Sequence, residues 1–391
     1  MYKDSSNDRP ICCTIRFKEI KLSNQIQPKK GIFEISKYRG GKGTSTNNGV
    51  KLSSNESAIG PSEKAVKAFI ESGNSLSVYP DGNSTLLKQK ISEKYGLRVN
   101  NIFCGAGSDE ILNLLGNAYL DPGDEVIYSE HAFLLYRIIT LANNAKPIIA
   151  PEIGLKASVN NIINAVTSKT KIIFIANPNN PTGSYLNRDE LYELRNKIPD
   201  EVLLVVDGAY AEYVQETDYC DGLDLVSEDA NTVMTRTFSK VYGLASLRIG
   251  WAYCPTFIID TLNKIRGPFN LSTASIYAGA AALDDTEHVR KSIALNIEEK
   301  NYLYKKYSEL GVKVISGVAN FLLLDFTNID NLNCKDLNNY LSDENIFLRD
   351  VSDYGLSGHL RISIGNKEQN RIALKKIEEY LVEGNYVKER K

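Results

Sequence analysis

A lysine and an arginine eight residues apart are the first residues in this sequence whose types suggest chemistry. Residues 235–250 read TRTFSKVYGLASLRIG, with Lys240 directly after Ser239 and Arg248 further on. A lysine made nucleophilic by burial or neighbouring cations can form a Schiff base. The guanidinium of Arg248 can bind a phosphate, and the hydroxyls of Thr237 and Ser239 can donate to the same anion. Taken alone, any lysine is by default a solvated surface residue.

Two other segments place polar groups where predicted strands end. In VVDGAY, Asp207 follows an apolar run, where a carboxylate needs a partner such as a protonated heterocyclic nitrogen. An isolated Asp at this point would more often cap the next helix. The segment NPNNPTG, residues 177–183, closes another strand with a rigid polar turn. The order of its seven residues favours a functional turn over a purely structural one.

The glycine-rich segments exclude two nucleotide-binding motifs. RGGKGTS, residues 39–45, is not a P-loop, because glycine rather than Ser or Thr follows the lysine. GAGSDE, residues 105–110, ends in Glu110 where a dinucleotide-binding fingerprint requires Gly or Ala. What remains is a strand, a turn and a helix that begins near Ser108. The free N–H groups of that helix could bind a phosphate, and a plain helix cap by Ser108 is an equal alternative.

The order of predicted elements indicates an α/β fold. Apolar runs predict strands at 124–130, 146–152, 171–178, 201–210, 231–239 and 249–255, with helices at 108–120 and 187–198 between them. Buried strands alternating with helices are typical of a mostly parallel sheet covered on both faces. Ligands bind such sheets beyond the carboxyl ends of the strands, where Asn177–Asn180, Asp207 and Ser239–Lys240 fall.

The last hundred residues predict a smaller α+β domain. A helical pattern at 285–311 is followed by a strand, a helix near 335–343, the strands IFLRD and HLRISIG, and a final helix from about residue 367. The predicted organisation is an N-terminal extension at 1–26, an arm and part of the small domain at 27–72, a large domain at 73–285 and the small domain at 286–391.

Composition excludes several classes of partner. The 391 residues are 42% hydrophobic and 24% charged, with a formal net charge of −2, which is ordinary for a globular enzyme and predicts no nucleic-acid or anionic-membrane partner. No apolar run reaches the roughly 20 residues of a membrane span, and no signal-peptide core is evident. Six cysteines without a C-x-x-C pair and three separated histidines predict reduced thiols, a cytoplasmic location and no metal site.

The lysine, the aspartate, the phosphate-binding groups and the polar turn together fit pyridoxal phosphate. Motifs that support this interpretation occur in one order: ISKYRGGK, KLSSNESAIGPS, YPDGNSTLLKQKIS, GAGSDEILNLL, DPGDEVIYSEHAFLLYRI, ANPNNPTG, VVDGAYAEYV, RTFSKVYGLASLRIGW, RGPFNLS, ANFLLLDF and LRISIG. The series resembles the fold-type I, class I and II aminotransferases, and within them the histidinol-phosphate aminotransferase group, over roughly residues 27–385. One departure is Ser-Gly-Val before ANF, where the family often has Pro-Ser.

The resemblance implies roles for residues of this sequence in binding the cofactor. Lys240 binds it covalently and moves the substrate proton, and Asp207 pairs with the pyridinium nitrogen. Tyr210 and Asn180 hydrogen-bond the phenolic oxygen of the ring. Phe133 stacks on the ring where many relatives have tyrosine, and only its π face is needed. The phosphate is held by the backbone of Ala106, Gly107, Ser108 and Asp109 and by the side chains of Thr237, Ser239 and Arg248.

The resemblance also implies a substrate and a homodimer. Tyr79, in YPDG, reaches the cofactor phosphate of the neighbouring subunit. Arg361, in LRISIG, binds the substrate carboxylate, and Tyr38 and Arg349 match positions that contact the substrate phosphate. The implied reaction converts L-histidinol phosphate and 2-oxoglutarate into imidazole-acetol phosphate and L-glutamate. Because histidinol phosphate has no α-carboxylate, Arg361 is expected to face its phosphate end, and the division of roles between the two arginines stays open.

Other functions on the same scaffold remain as alternatives. An aromatic amino-acid aminotransferase and a threonine-phosphate decarboxylase are the nearest ones. A cofactor-binding transcription regulator is disfavoured, because only 26 residues precede the family region and no basic patch is evident. A non-catalytic homologue would be expected to have lost Lys240 or Asp207. An NAD-dependent oxidoreductase is disfavoured, because the dinucleotide fingerprint fails.

Overall fold

The computed structural model describes residues 26–38, 40, 41, 43, 49–384 and 386. The predicted N-terminal extension therefore lies outside the described residues except for its last member. No helix in this described part of the chain is long and apolar enough to cross a membrane.

The secondary structure follows the predicted alternation of strands and helices. The strands are β1 (Val50–Lys51), β2 (Ile102–Gly105), β3 (Glu125–Ser129), β4 (Lys146–Ala150), β5 (Thr170–Ala176), β6 (Leu203–Asp207), β7 (Thr232–Thr237), β8 (Gly250–Tyr253), β9 (Lys313–Ile315), β10 (Phe321–Asp325), β11 (Ile346–Phe347), β12 (Arg349–Asp350) and β13 (His359–Ser363). The α-helices are α1 (Glu63–Ser72), α2 (Thr85–Tyr95), α3 (Ser108–Tyr119), α4 (Leu135–Ala142), α5 (Val159–Asn164), α6 (Arg188–Lys197), α7 (Thr256–Ile265), α8 (Thr273–Leu283), α9 (Thr286–Glu309), α10 (Cys334–Asp343) and α11 (Lys367–Glu383).

A seven-stranded sheet in the order β2-β8-β7-β6-β5-β3-β4 forms the centre of the large domain. The pairs from β7 to β4 are parallel, and β8 runs antiparallel to both of its neighbours. The strands predicted from apolar runs are confirmed with small changes at their ends. The predicted α/β fold with a mostly parallel central sheet is confirmed as well.

Helices cover both faces of this sheet. Successive residues of its central strands point to opposite faces, and those on both faces are apolar. In β5, Ile172 and Phe174 pack in a cluster with residues of α3, whereas Ile173 and Ile175 pack with residues of α6. Helix α6 begins with a capping box, in which Asn187 and Glu190 satisfy each other's backbone N–H groups. A strand buried on both faces holds its terminal residue firmly, which matters for Asp207 at the end of β6.

The smaller domain is built on an antiparallel sheet in the order β12-β13-β10-β9. Helices α9, α10 and α11 supply residues to its core, which also contains Val50 and Leu52 from the N-terminal part of the chain. The segment IFLRD, predicted as one strand, is two short strands in different sheets. Strand β11 pairs in parallel with β1, and β12 pairs with β13. This break places Arg349 beside Arg361 in register on adjacent strands.

Candidate active site

The carboxyl ends of β5, β6 and β7 meet at one edge of the large sheet. Asp207, the last residue of β6, is in register with Ala176 and Thr235 on the neighbouring strands. Tyr136 Oη donates to Asp207 Oδ2 at 3.0 Å, and Thr235 Oγ1 donates to Oδ1 at 3.1 Å. Burial raises the pKa of Asp207 to about 6, although these two hydrogen bonds lower it. A cation bound beside this carboxylate would favour its charged form.

Lys240 lies three residues beyond β7 and points into the same cavity. Its Nζ donates to the carbonyl oxygen of Ser54 at 3.1 Å and lies 5.6 Å from the ring centroid of Tyr210. The side chain is half-buried. The lysine that the sequence singled out is therefore held inside the cavity and is not a surface residue.

A group of anion-binding side chains adjoins Lys240. Arg248 Nη1 donates to Ser239 Oγ at 3.3 Å, and Thr237 Oγ1 donates to the same oxygen at 3.0 Å. Helix α3 begins here at Ser108, with Gly107 as its N-cap and no side-chain cap, so the alternative of a Ser108 cap is not observed. A Cβ on Gly107 would lie 2.5 Å from Arg248 Nη2, because the arginine packs against this turn.

The backbone at this turn differs from the prediction in one respect. The N–H of Ala106 donates to Glu110 Oε2 at 2.6 Å, and the N–H of Gly107 donates to the carbonyl oxygen of Gly105 at 2.8 Å. Neither group is available to an anion in this arrangement. Of the four backbone positions predicted to bind phosphate, Ser108 and Asp109 line the cavity.

Two asparagines of the turn at 177–183 have different surroundings. Asn177 Nδ2 donates to two carbonyl oxygens, those of Leu186 at 3.0 Å and Cys220 at 2.8 Å, and so closes the turn. Asn180 instead lines the cavity, and its Oδ1 accepts a hydrogen bond from Arg361 Nη1. The functional interpretation of this turn thus applies to Asn180, and Asn177 has a structural role.

Two arginines also line the cavity. Arg361 is buried on β13, and its Nη2 donates to the carbonyl oxygen of Ser53 at 2.7 Å. Burial lowers the pKa of Arg361, which stays cationic at neutral pH. The Arg349 guanidinium carbon lies 5.7 Å from the ring centroid of Tyr38. The hydroxyl of Tyr354 is in the same region, and burial raises its pKa to about 12.

These groups line a single cavity of about 220 Å³. The predicted residues that line it are Tyr38, Ser108, Asp109, Phe133, Asn180, Asp207, Tyr210, Thr237, Ser239, Lys240, Arg248, Arg349 and Arg361. Tyr79 does not line the cavity of its own chain. It is 79% exposed and stacks on Phe269 with ring centroids 4.6 Å apart.

Sequence reasoning did not identify four residues of the site. Tyr136 and Thr235 hydrogen-bond Asp207, Asn55 hydrogen-bonds Tyr210, and Tyr354 lines the cavity beside the arginines. Tyr136 and Asn55 lie within motifs of the family series and Thr235 directly precedes one, and each acts through a partner that is distant in sequence. No local pattern marks such residues.

The cavity satisfies the separate demands of pyridoxal phosphate. A buried carboxylate with a raised pKa suits a protonated ring nitrogen, and Arg248 with its hydroxyl neighbours suits a phosphate. Gly107, directly before α3, packs closely against Arg248, and because it has no side chain its backbone lies beside the guanidinium group. Among the described residues, no group of His, Cys, Asp and Glu could hold a metal ion.

Comparison with known proteins defines the class. The sequence profile of the class I and II aminotransferases matches residues 47–377, and the chain belongs to that family. Over 357 residues, 90% of this chain, it is 45% identical to a histidinol-phosphate aminotransferase from Rhodopseudomonas palustris strain TIE-1 and covers 98% of that protein. Its identity to a histidinol-phosphate aminotransferase from Nitrobacter winogradskyi is 44%, with the same coverage of both chains. The family resemblance predicted from the motif series is confirmed.

Solved structures match the fold. The histidinol-phosphate aminotransferase from Sinorhizobium meliloti, in complex with pyridoxal-5'-phosphate, superposes with a TM-score of 0.79 at 24% identity, covering 85% of this chain and 91% of that one. A protein described as a putative histidinol-phosphate aminotransferase, from Erwinia carotovora atroseptica, gives a TM-score of 0.81 at 20% identity, with 88% and 99% covered. At these identities the matches establish a shared fold.

Proposed function

We propose that this chain is a pyridoxal-phosphate-dependent enzyme that transfers the amino group of L-histidinol phosphate to 2-oxoglutarate. The products are imidazole-acetol phosphate and L-glutamate, as in histidine biosynthesis. The observation that carries the proposal is one cavity that is lined by Lys240 and Asp207 and also by Arg349 and Arg361. The names of relatives 45% and 44% identical over nearly their whole length support this substrate over an aromatic amino acid or threonine phosphate.

The inner end of the cavity suits the cofactor ring. Bound pyridoxal phosphate supplies an electron sink for the electrons released when a carbon beside nitrogen loses its proton. Asp207 would pair with the ring nitrogen and favour its protonated form, and the hydrogen bonds from Tyr136 and Thr235 orient the carboxylate for this. Tyr210 and Asn180 line the cavity and would donate to the phenolic oxygen of a bound ring, and Phe133 would pack against the ring face.

Lys240 holds the cofactor and moves the proton. With the cofactor bound, the free amine of Lys240 would be placed to accept the proton from the substrate carbon that bears the amino group. In the structure this amine lies inside the cavity, where it donates to the Ser54 carbonyl oxygen. Ser239, Thr237 and Arg248 hold the cofactor phosphate, so that the ring stays in reach of this amine.

The outer end must accept two anions of different shape. Histidinol phosphate carries a phosphate monoester, and 2-oxoglutarate carries two carboxylates. The guanidinium groups of Arg349 and Arg361 can bind either anion, and the hydroxyls of Tyr38 and Tyr354 can donate to both. We assign Arg361, which contacts Asn180, to the carboxylate of 2-oxoglutarate nearest the cofactor. We assign the phosphate of histidinol phosphate to Arg361 together with Arg349 and Tyr38.

The proposal includes a homodimer that works in the cytoplasm. Tyr79 is exposed and outside its own cavity, so its hydroxyl can serve the phosphate of a partner's cofactor. Leu76 and Val78 beside it are also exposed, at 87% and 68%, and would be covered by a second copy. The described cysteines are free thiols, which fits a reducing compartment.

Spectroscopy without a keto acid tests the reaction. We expect L-histidinol phosphate to convert the visible band of the cofactor-loaded protein to that of pyridoxamine phosphate, and 2-oxoglutarate to restore it. Lys240→Ala should lower turnover by a factor on the order of 10³ or more, because the proton carrier is lost. Lys264→Ala, at an exposed lysine of α7, is the matched control and should retain activity.

Each other outcome points to a different correction. Conversion of the band by phenylalanine or tyrosine alone would assign the chain to the aromatic aminotransferases. Release of CO₂ from threonine phosphate would assign it to the decarboxylases. A protein that forms no visible band with added pyridoxal phosphate would contradict the cofactor itself.

A further inference from the structure

Asn55 forms a buried hydrogen-bond network that reaches Tyr210. Its backbone N–H donates to Ser363 Oγ at 2.8 Å, and Ser363 Oγ donates to Asn55 Oδ1 at 2.9 Å. Its Nδ2 donates to Tyr210 Oη at 2.9 Å. The carbonyl oxygen of Asn55 accepts from Asn320 Nδ2 at 3.1 Å. Asn55 is 1% exposed and its φ is 57°, so the side chain is held in one place.

The network decides which way the protons point. Ser363 Oγ accepts the backbone N–H of Asn55 and donates its own proton to the Asn55 side chain. The atom that receives it must be the amide oxygen, which leaves the amide nitrogen facing Tyr210. With the amide reversed, the buried Ser363 hydroxyl would have no acceptor among the residues the structure describes.

We infer that Asn55 is a positioning residue that directs the hydroxyl proton of Tyr210 into the cavity. Because the amide donates to Tyr210 Oη, the tyrosine proton must go to a different acceptor, and Tyr210 lines the cavity. Building on the proposed function, that acceptor is the phenolic oxygen of the cofactor. The geometry thus assigns Tyr210 the role of a fixed donor, which stabilises the ionised form of that oxygen.

The same short segment contacts the two other principal groups of the cavity. The carbonyl oxygen of Ser53 accepts from Arg361 Nη2, and that of Ser54 accepts from Lys240 Nζ. The next residue, Asn55, contacts Tyr210 through its side-chain amide. Residues 53–55 therefore lie between both domains and fix the orientation of Tyr210 relative to the arginine and the lysine.

Asn55→Asp reverses one hydrogen bond at nearly constant shape. The new oxygen accepts where Nδ2 donated, so the Tyr210 hydroxyl turns toward residue 55 and away from the cavity. The Ser363 hydroxyl can still donate to the carboxylate. We expect the apparent pKa of the bound-cofactor absorbance to rise by about 1 to 2 pH units, because a hydrogen bond to an ionised oxygen is lost. The measurement is a pH titration of the absorbance without substrate, and it does not depend on turnover.

A double variant separates hydrogen-bond direction from added charge. A carboxylate at position 55 itself raises the apparent pKa, because it repels the negative charge of the ionised oxygen. In the Tyr210→Phe background this charge effect alone remains. The inference requires a larger rise from Asn55→Asp in the native background than in the Tyr210→Phe background. Equal rises in both backgrounds overturn it.

Two further variants test whether loosening of the segment, rather than the direction of the hydrogen bond, changes the apparent pKa. Asn320→Ala removes the bond to the Asn55 carbonyl and keeps the side-chain bonds, so the apparent pKa should stay at the unaltered value. An equal rise in Asn320→Ala would mean that loosening of the segment is the cause. Ser363→Ala frees the amide to turn without adding charge. It should give a smaller rise of the same sign, and no rise would contradict the inference.

The test also distinguishes this inference from the proposed function. If the unaltered protein forms no band with pyridoxal phosphate or does not convert L-histidinol phosphate, the proposed function fails whatever residue 55 is. If the unaltered protein titrates and reacts as expected but Asn55→Asp matches it, only the inference about Asn55 fails. Lys240, Asp207 and Arg361, the charged groups around Tyr210, are the same in every variant.

Discussion

At the scale of single residues, Asp207 is a buried carboxylate whose burial is only partly compensated by its hydrogen bonds. The carboxylate is 5% exposed, and the two neutral hydroxyls of Tyr136 and Thr235 are its side-chain hydrogen-bond donors. Hydroxyl donors orient the oxygens but compensate only part of the cost of burying a charge, which is why its pKa stays raised. Binding of a cationic ring would offset that cost and contribute to cofactor affinity.

Asp207→Asn should change how stability depends on pH in the cofactor-free protein. The pKa of Asp207 is raised from 3.8 to about 6 in the folded state, so folding favours the protonated form. Stability from this group is therefore fully present below about 3.8 and falls as pH rises through about 6. The difference in unfolding free energy, variant minus unaltered protein, should therefore rise by about 2 kcal/mol when the pH is raised from about 4.5 to about 7.

Urea unfolding of both cofactor-free proteins at the two pH values measures this difference. The same substitution should lower affinity for pyridoxal phosphate, because the ring nitrogen loses its anionic partner. Parallel stability curves for the two proteins would show that Asp207 is charged at no cost in the folded state.

At the scale of elements, the start of α3 is packed tightly between β8 and the Arg248 side chain. A Cβ on Gly250 of β8 would lie 2.2 Å from the backbone nitrogen of Ser108. Gly107, the N-cap, has a φ of 82° and ψ of 163°, a backbone conformation that is essentially restricted to glycine. The helix can therefore bring its first N–H groups to the cavity edge only with glycine at both positions.

Gly107→Ala should weaken cofactor binding as well as stability. Its Cβ would displace Arg248, whose Nη2 is 2.5 Å away, and we expect the affinity for pyridoxal phosphate to fall at least about tenfold. Backbone strain should lower the unfolding free energy by about 1 to 3 kcal/mol. Cofactor titration and urea unfolding measure the two effects.

Gly123→Ala is the matched control for strain alone. Gly123 also has a positive φ, 97°, and a Cβ there would meet nothing within 4 Å. It should lose stability and keep cofactor affinity. If both variants bind the cofactor as the unaltered protein does, the packing of Gly107 against Arg248 has no role in binding.

At the scale of the whole molecule, residues on or next to both larger sheets line the cavity, and the proposed function adds a second chain. The large sheet supplies Asp207, the segment after its strand β7 supplies Lys240, and the small antiparallel sheet supplies Arg349 and Arg361. The exposed residues around Tyr79 lie away from this chain's own cavity. An exposed apolar segment of this kind is costly in water unless a partner covers it.

Tyr79→Phe and Leu76→Asp should separate assembly from cofactor binding. The phenylalanine keeps the stacking on Phe269, so the dimer should persist, while cofactor affinity falls about tenfold through loss of one hydrogen bond to a phosphate. The aspartate places a charge at a position that is 87% exposed in one chain, and should shift the protein toward monomer.

Sedimentation velocity measures the oligomeric state of both variants, and cofactor titration measures their affinity for pyridoxal phosphate. A monomeric unaltered protein with full cofactor affinity would contradict the proposed dimer. Unchanged affinity in Tyr79→Phe, with the dimer intact, would remove the tyrosine from the site.

Local patterns in the sequence determined much of this protein. Apolar runs located the strands of the large sheet, and the polar residues that end them located Asp207, Asn180 and Lys240. Such signals are local, because a buried strand must be apolar throughout and a carboxylate at its end is conspicuous. The order of motifs identified the family for the same reason.

Tertiary structure decided how those side chains are oriented. Asn55 and Ser363 are 308 positions apart, and Tyr136 and Asp207 are 71 apart, yet each pair is hydrogen-bonded. The engagement of the Ala106 N–H by Glu110 and the division of IFLRD between two sheets were likewise not predicted. A hydrogen bond depends on the distance and angle between two groups, and for distant residues only the packing of whole elements sets these.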